Sequence, residues 1–235
     1  MCGRFSLTSG QDEIAKLFSV DAFAAIPPRY NIAPTQPILA VRGASLQHRE
    51  LVALEWGLVP EWAREKRAGK PLINARVETI TEKASFRSAV KRTRCLVPFT
   101  SWYEWRSEKG RKQPYMISKG DGEQSKLAAF AGIWTTWHGP EGEHWLETVA
   151  LVTAEATGPL RAVHHRKPLV VHPNSYQHWL QPHDPLPRDF WQGLQCLEEA
   201  DFAMRPVDSA VNSIRIDAPR CHDSPKEDPQ TSLFD

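Results

Sequence analysis

The sequence contains few cysteines and no C-x-x-C pair. Its four cysteines, Cys2, Cys95, Cys196 and Cys221, are scattered along 235 residues. This number and spacing exclude a disulfide framework of the kind that stabilises small secreted domains. Cys221 is followed by a histidine, but no further ligands stand at the spacing of a zinc site. We therefore expect no metal and no cofactor.

Long apolar runs and an excess of charge of one sign are also missing. No run reaches the length of a membrane span, and the first residues, MCGRFSLTSGQDE, lack the hydrophobic region of a signal peptide. We expect a cytoplasmic, nucleoid-associated protein without a membrane partner. The net charge of +1 argues against a general binder of polyanions. It leaves room for a local basic groove, for which KRTR (91–94) and RSEKGRKQ (106–113) are candidates.

The pattern along the chain indicates many strands and few helices. Segments rich in branched and aromatic residues follow one another with hairpin-length connections, which favours an antiparallel sheet over a parallel one. Helical spacing of apolar residues predicts a short helix near 11–18, and helical patterns recur in TEKASFRSAVKRT (81–93), NSYQHWL (174–180) and DFWQGLQCLEEA (189–200). The prediction is an α+β fold: one domain over residues 1–216 on a largely antiparallel, barrel-like β-sheet core with short flanking helices.

The last segment, residues 217–235, is polar and contains several prolines. This composition predicts a disordered tail. Its pentapeptide QTSLF resembles the motif by which bacterial proteins dock on the replicative sliding clamp, with Gln230, Ser232, Leu233 and Phe234 in the matching positions. The tail is therefore a candidate for clamp binding.

Cys2 is the most reactive candidate in the sequence because it directly follows Met1. Aminopeptidases usually remove the initiator methionine when the second residue is small, which leaves a thiol and a free α-amine on adjacent carbons. A terminal α-amine has an ordinary pKa of about 7.7–8.0, so an appreciable fraction is neutral at physiological pH. Such a terminus condenses with an aldehyde and closes a five-membered thiazolidine, a ring closure that benefits from high effective concentration.

Two known types of site begin with such a terminus. One belongs to the N-terminal nucleophile hydrolases that act on glutamine, whose terminal amine assists the cysteine. Those enzymes also need an Asn-Gly pair for the oxyanion and an Arg-Gly-Pro segment for the substrate. The present sequence has no Asn-Gly pair and carries HHRKP (164–168) instead, so this interpretation ranks behind the others.

Six segments that follow MCGRF in order carry the second interpretation. They are RYNIAPTQP (29–37), WGLVPEW (56–62), PLINARVET (71–79), CLVPFTSWYEW (95–105), ALVTAEA (150–156) and VHHRKPLVV (163–171). Together they resemble the SRAP family, the SOS-response-associated peptidases described as abasic-site processing proteins, over roughly residues 1–215. The second histidine of HHRKP and Lys167 depart from residues common in the family, without touching the key positions.

The resemblance implies binding of single-stranded DNA that contains an abasic site. In the family the mature N-terminal cysteine captures the sugar aldehyde as a stable thiazolidine cross-link, an abasic-site DNA cross-linking and lyase-type activity. The family name adds a thiol peptidase activity by which the chain would remove its own Met1. Carried onto this sequence, the matching catalytic positions are Cys2, Asn74, Glu104 and His164.

Each matching position has a chemical rationale. The Asn74 amide orients the terminus or the sugar without adding charge. Glu104 exchanges protons with the terminal amine and the sugar hydroxyl if burial tunes its pKa. His164 suits general acid–base assistance in opening the sugar ring. An isolated glutamate or histidine is more often a surface charge or a structural residue, so these roles depend on the surrounding motifs.

Four further positions match those that the family uses to contact DNA. Arg4, Arg76 and Arg166 carry guanidinium groups suited to phosphate oxygens, and Trp105 offers a ring for base stacking. Two alternatives remain at this point. One is a non-covalent single-strand-binding or clamp-associated adaptor in which Cys2 is inert, and the other is the amidohydrolase described above.

Overall fold

The computed structural model describes residues 2–21, 24–43, 48–66, 70–108, 110–120 and 125–226. Within these residues the strands are β1 (Phe5–Leu7), β2 (Arg29–Ile32), β3 (Pro37–Gly43), β4 (Arg49–Trp56), β5 (Asn74–Arg76), β6 (Arg94–Phe99), β7 (Ser101–Glu108), β8 (Arg111–Lys119), β9 (Ala128–Trp137), β10 (Leu146–Glu155), β11 (Arg166–Pro168) and β12 (Phe202–Pro206). The helices are α1 (Gln11–Phe18), α2 (Ala89–Arg92), α3 (Gly158–Arg161), α4 (Tyr176–Leu180) and α5 (Phe190–Gly193). Short 3-10 helices lie at Pro173–Ser175, Glu199–Asp201, Ser209–Asn212 and Pro219–His222.

The described strands form two sheets, and one of them is ring-like. A five-stranded antiparallel sheet has the order β12-β8-β7-β1-β2. The second sheet runs β11-β10-β4-β3-β6-β9, and β9 also pairs with β10, so the strands return on themselves without forming a closed barrel. Among the described strands, the parallel pairings are those of β10 with β4 and with β5. The predicted α+β fold with a largely antiparallel, barrel-like core is confirmed.

An aromatic cluster joins the two sheets. Phe99 and Phe130 of the ring-like sheet stack with their ring centroids 3.7 Å apart. From the other sheet, Phe5 and Trp102 pack edge-on against Phe130, with ring centroids 5.7 and 6.1 Å from that of Phe130. Because such buried aromatic side chains carry large apolar areas, they hold β1 and β7 firmly against the ring-like sheet. The short β1, which follows Cys2, is thereby fixed in position.

The helical predictions have mixed outcomes. Helix α1 covers the predicted residues 11–18. Helices in the segments 81–93 and 189–200 are far shorter than predicted, with four residues each in α2 and α5. The first segment instead folds into successive turns that still bury Phe86, Ala89 and Val90. In the second, the helix ends at Gly193, and Cys196 then forms a β-bridge with Val171.

The predicted disorder from residue 217 is wrong for the first part of the tail. Asp217 pairs with Arg29 and accepts hydrogen bonds from the backbone N–H groups of Tyr30 (2.6 Å) and Asn31 (2.9 Å). Cys221 is fully buried in a small second core with Tyr103, Met116, Val207 and Val211. These contacts provide the burial that composition alone does not reveal. The clamp-type residues 230–234 lie outside the described residues.

Candidate functional site

The site lies where the start of β1 meets β5, β7 and the turn before β11. Cys2 is fully buried and stands just before β1. Asn74, the first residue of β5, donates a hydrogen bond from Nδ2 to the carbonyl oxygen of Cys2 at 2.8 Å. The other amide atom of Asn74, Oδ1, is buried and accepts no hydrogen bond among the described residues. A polar atom buried in this way is costly, so it marks a place for a donor.

Glu104 lies on β7, opposite Tyr115 of β8, and its side chain is only 4% exposed. On the other side of β7, the backbone N–H of Tyr103 donates to the carbonyl of Arg4 at 3.0 Å, which aligns Glu104 with the residues before β1. Burial raises the pKa of Glu104 to about 7, although the positive charge of the chain's α-amino group lowers it. Glu104 can therefore both accept and return a proton near neutral pH.

The Cys2 side chain is a neutral thiol in this environment. Burial raises the pKa of Cys2 far above its ordinary value, and the negative charge of Glu104 raises it further. The thiolate form is therefore disfavoured before a base acts on the thiol. A neutral thiol needs a base to accept its proton, and Glu104 is the charged carboxylate that acts on it.

His164 lies in the turn between α3 and β11 and packs against His165, with ring centroids 4.4 Å apart. The backbone N–H of Arg166 donates to its Nδ1 at 3.0 Å. The carbonyl oxygen of Arg166 also lies 3.1 Å from Nδ1, so the neutral form of the ring can carry its proton on either nitrogen. Burial and the positive charge of the α-amino group both lower the pKa of His164, which favours this neutral form.

An open cavity brings several of these groups together. It is lined by Glu104, Trp105, Lys112, His164 and Asn212. Three of these residues were predicted from the sequence. Lys112 belongs to the basic run 106–113 that the sequence marked as a candidate, whereas Asn212 carried no recognisable signal.

Arg4 and Trp105 lie together beside this cavity. Arg4 donates from Nη1 to Asn31 Oδ1 (2.8 Å) and to the carbonyl of Val211 (2.7 Å). Its guanidinium lies 5.9 Å from the ring of Trp105. Arg4 therefore connects β1 to the C-terminal part of the chain while it remains next to the site.

Arg166 and Arg76 occupy different environments from each other. Arg166 is 8% exposed and forms a two-pronged ion pair with Glu78, with N–O distances of 2.7 and 2.9 Å. It also donates to the carbonyl of Thr153 at 2.7 Å. Arg76 is exposed and lines a separate depression together with Arg166 and His165. The structure thus leaves Arg76 accessible and engages Arg166 within the protein.

The described residues contain neither a cluster of metal ligands nor a membrane-spanning helix. Among them, no group of three or more His, Cys, Asp or Glu side chains is arranged to hold a metal ion. In the same part of the chain, no helix is long and apolar enough to cross a membrane.

Comparisons with known proteins agree with this fold. A family model described as SOS response associated peptidase (SRAP) matches residues 1–214. The chain is 36% identical over 228 residues to abasic site processing protein YoqW of Bacillus subtilis, which covers 95% of this chain and 100% of that protein. It is 31% identical over 222 residues to abasic site processing protein YedK of Escherichia coli, with coverages of 92% and 96%. A crystal structure of a protein from Bacteroides thetaiotaomicron superposes with a TM-score of 0.80 at 21% identity, covering 95% of this chain and 99% of that chain.

Proposed function

Because the chain belongs to the SOS response associated peptidase family, we propose that it binds single-stranded DNA at abasic sites and captures them covalently through Cys2. Its relatives YoqW and YedK are named abasic site processing proteins, which supports processing of this lesion. The observation that carries the covalent step is the buried Glu104, with a pKa of about 7, whose charge acts on the Cys2 thiol.

The reaction begins once Met1 has been removed and Cys2 carries the free α-amine. The amine condenses with the aldehyde of the opened sugar, which forms a C=N bond and releases water. The thiol then adds to this carbon: a C–S bond forms, and the thiol proton passes to the nitrogen. Glu104 is the base that accepts this proton and the acid that returns it, since its pKa near 7 suits both directions.

Asn74 and His164 act before and around this addition. Asn74 holds the carbonyl of Cys2 through Nδ2, so the unpartnered Oδ1 is available to accept a hydrogen bond from the newly formed α-amine. The Nε2 nitrogen of His164 exchanges a proton with a sugar oxygen and assists opening of the sugar ring to the aldehyde. Self-removal of Met1 by the thiol, as the family description suggests, would generate the reactive terminus.

The DNA follows the surface next to the cavity. Trp105, which lines the cavity, stacks on a base next to the lesion, a contact worth about 1–3 kcal/mol in single-strand binders. Arg76 contacts a phosphate of the DNA. Arg4 orders the segment of the protein that carries Cys2. Arg166, paired with Glu78, holds the turn of His164 through its backbone N–H.

Intact-mass measurement tests this function. We expect the purified protein to lack Met1 and to gain the mass of an abasic oligonucleotide, minus one water, on incubation. Cys2→Ala should abolish the covalent product and keep most of the non-covalent affinity for single-stranded DNA. Cys2→Ser is the matched control for size and should form at best a reversible adduct, because a hydroxyl closes a less stable ring.

Two results would contradict this proposal. An unchanged mass with retained DNA binding would favour the non-covalent adaptor. A stable cross-link formed by protein that retains Met1 would refute the participation of the α-amine.

A further inference from the structure

Asn212, like Lys112, is a member of the cavity lining that the proposed chemistry does not use. It lines the cavity together with Glu104, Lys112 and His164, although it stands far from them in the sequence. Its amide Oδ1 accepts a hydrogen bond from Trp105 Nε1 at 2.7 Å. Its amide therefore lies in the same cavity as Glu104 and His164, the two groups with proposed acid–base roles.

The contact with Trp105 settles the orientation of the amide. An indole N–H can only donate, so the atom that faces it must be the amide oxygen. The NH₂ group lies on the other edge of the same planar amide. Asn212 therefore offers hydrogen-bond donors, and its acceptor is already engaged by the protein.

The backbone that carries Asn212 is held in place from several sides. Asn212 ends the 3-10 helix Ser209–Asn212, whose Asp208 accepts a hydrogen bond from the N–H of Ala210 at 2.7 Å. Val211 is fully buried, and its carbonyl accepts a hydrogen bond from Arg4 at 2.7 Å. Because Arg4 immediately precedes β1, this bond joins the turn to the segment that carries Cys2.

Asn31 of β2 adds three further bonds to the same turn. Its Nδ2 donates to the carbonyls of Val211 (3.3 Å), Ser213 (3.0 Å) and Ile216 (2.7 Å). Asn31 itself is fully buried. The position of the turn is therefore established on folding, and a ligand that binds there does not have to order it.

Lys112 supplies charge in the same cavity. Its ammonium group has three N–H donors and no acceptor, and it is exposed on β8. An amide donor beside an ammonium group is suited to an anionic oxygen, and the oxygen of this kind in an abasic strand belongs to the phosphodiester.

We propose that Asn212 donates a hydrogen bond to a phosphodiester oxygen next to the abasic sugar, and that it thereby helps to select and align the lesion in the cavity. This inference rests on the proposed function. Asn212 contacts the substrate directly, whereas Trp105 and the turn position it. Lys112 strengthens the same contact through its charge.

Two substitutions separate recognition from a purely structural role. Asn212→Asp keeps an acceptor for Trp105 but replaces the donors with a negative charge. Asn212→Ala removes both the acceptor and the donors. Recognition predicts that Asp is the more harmful of the two, while support of Trp105 alone predicts that only Ala is harmful.

The measurement uses the full chain and a single-stranded oligonucleotide with a tetrahydrofuran residue, an abasic analogue without an aldehyde. We expect Asn212→Asp to weaken its binding by about ten- to a hundredfold, as for the loss of a hydrogen bond to a charged group. Asn212→Ala should weaken it less. Asn174→Asp, the same charge change at an exposed position in another turn, should bind like the wild type.

Equal affinities of the wild type and Asn212→Asp would overturn the inference, as would an effect confined to Asn212→Ala. A parallel assay with a reactive abasic oligonucleotide keeps the two proposals apart. If the wild type binds the analogue but forms no covalent product, the covalent function fails, and the affinity series still decides the role of Asn212. Failure of the wild type to bind the analogue overturns both.

Discussion

At the scale of single residues, the site depends on the mutual influence of two buried groups. Cys2 is fully buried and Glu104 is 4% exposed, so neither is readily ionised on its own. Burial raises both pKa values, and the charge of Glu104 raises the pKa of Cys2 further. A carboxyl group with a pKa of about 7 is ionised often enough to accept the thiol proton and protonated often enough to return it.

Glu104→Gln should slow covalent capture and remove the part of its pH dependence that comes from the carboxyl group, while the part that comes from the α-amine, with an ordinary pKa of about 7.7–8.0, remains. The wild-type rate should rise as pH passes through about 7, since the carboxylate is the active base. The variant should be slower by up to roughly 10²–10⁴-fold, because the nucleophile itself remains. Release of a pre-formed adduct should slow as well, since the same group returns the proton. Single-turnover time courses from pH 5.5 to 8.5 measure both directions.

The control is Glu82→Gln, at an exposed turn position. Wild-type rates and pH profile in Glu104→Gln would show that Glu104 only shapes the cavity.

The pH dependence of stability gives a second test of the pKa of Glu104. A carboxyl whose pKa is raised on folding contributes most stability below its unfolded pKa near 4.5, and this contribution is lost as pH rises through about 7. As pH rises from 4.5 to 8, the free energy of unfolding of Glu104→Gln should therefore increase relative to that of the wild type.

At the scale of elements, one arginine holds two helix ends to the ring-like sheet. Arg94, the first residue of β6, is 2% exposed although the sequence placed it in a candidate basic patch. It donates to the carbonyls of Val90 and Lys91 in α2, and to those of Trp179 and Gln181 at the end of α4. Helix ends leave such carbonyls without intrahelical partners, and one guanidinium group satisfies four of them. Burial lowers the pKa of Arg94 to about 10, so it stays charged at neutral pH.

Arg94→Met should destabilise the protein by about 3 kcal/mol or more, because several buried carbonyls lose their donor. Arg94→Lys should recover only part of this, since an ammonium group lacks the planar fork. The matched control is Arg92→Met, two residues away, where the side chain is 61% exposed and its pairing with Asp184 is 3.5 Å long. That change should stay within about 0.5 kcal/mol. Urea unfolding measures all three, and equal midpoints for Arg94→Met and Arg92→Met would contradict the assigned role.

At the scale of the whole molecule, the C-terminal part of the chain closes over the beginning. The described structure ends at residue 226, after the segment that buries Cys221 and pairs Asp217 with Arg29. The pentapeptide QTSLF follows within nine residues of this point. A docking motif so near the folded domain would keep the capture site close to whatever the tail binds.

The combined change Leu233→Ala and Phe234→Ala should abolish binding to the replicative sliding clamp, because these two apolar side chains would fill its pocket. Capture of abasic DNA should stay at the wild-type level. A pull-down with purified clamp and the cross-linking assay measure the two properties separately. Thr231→Ala in the same pentapeptide is the control, and equal clamp binding by the double variant and the wild type would remove the motif from consideration.

The sequence by itself indicated the α+β fold, helix α1 and the candidate residues of the site. Apolar and aromatic periodicity located helix α1 and the main strands, and the six ordered motifs indicated the family. The positions Cys2, Glu104, Trp105 and His164 could also be named in advance, because they match positions of the family that the motifs resemble, and the last three line one cavity in the structure. What local pattern could not determine was the length of helices in 81–93 and 189–200, where packing of apolar side chains is satisfied equally well by turns.

Only the tertiary structure decided which polar groups are available. Arg166 and Arg76 are both arginines in matching motifs, yet Arg166 is engaged by Glu78 and Arg76 is exposed. Asn212 reaches the cavity because Arg4 and Asn31 hold its turn through Val211, from which they are 207 and 180 residues distant in the sequence. The ionisation of Cys2 and Glu104 likewise follows from burial, which depends on the closing of two sheets around β1. Burial and hydrogen-bond pairing arise between residues distant in sequence, so no local pattern of amino acids contains them.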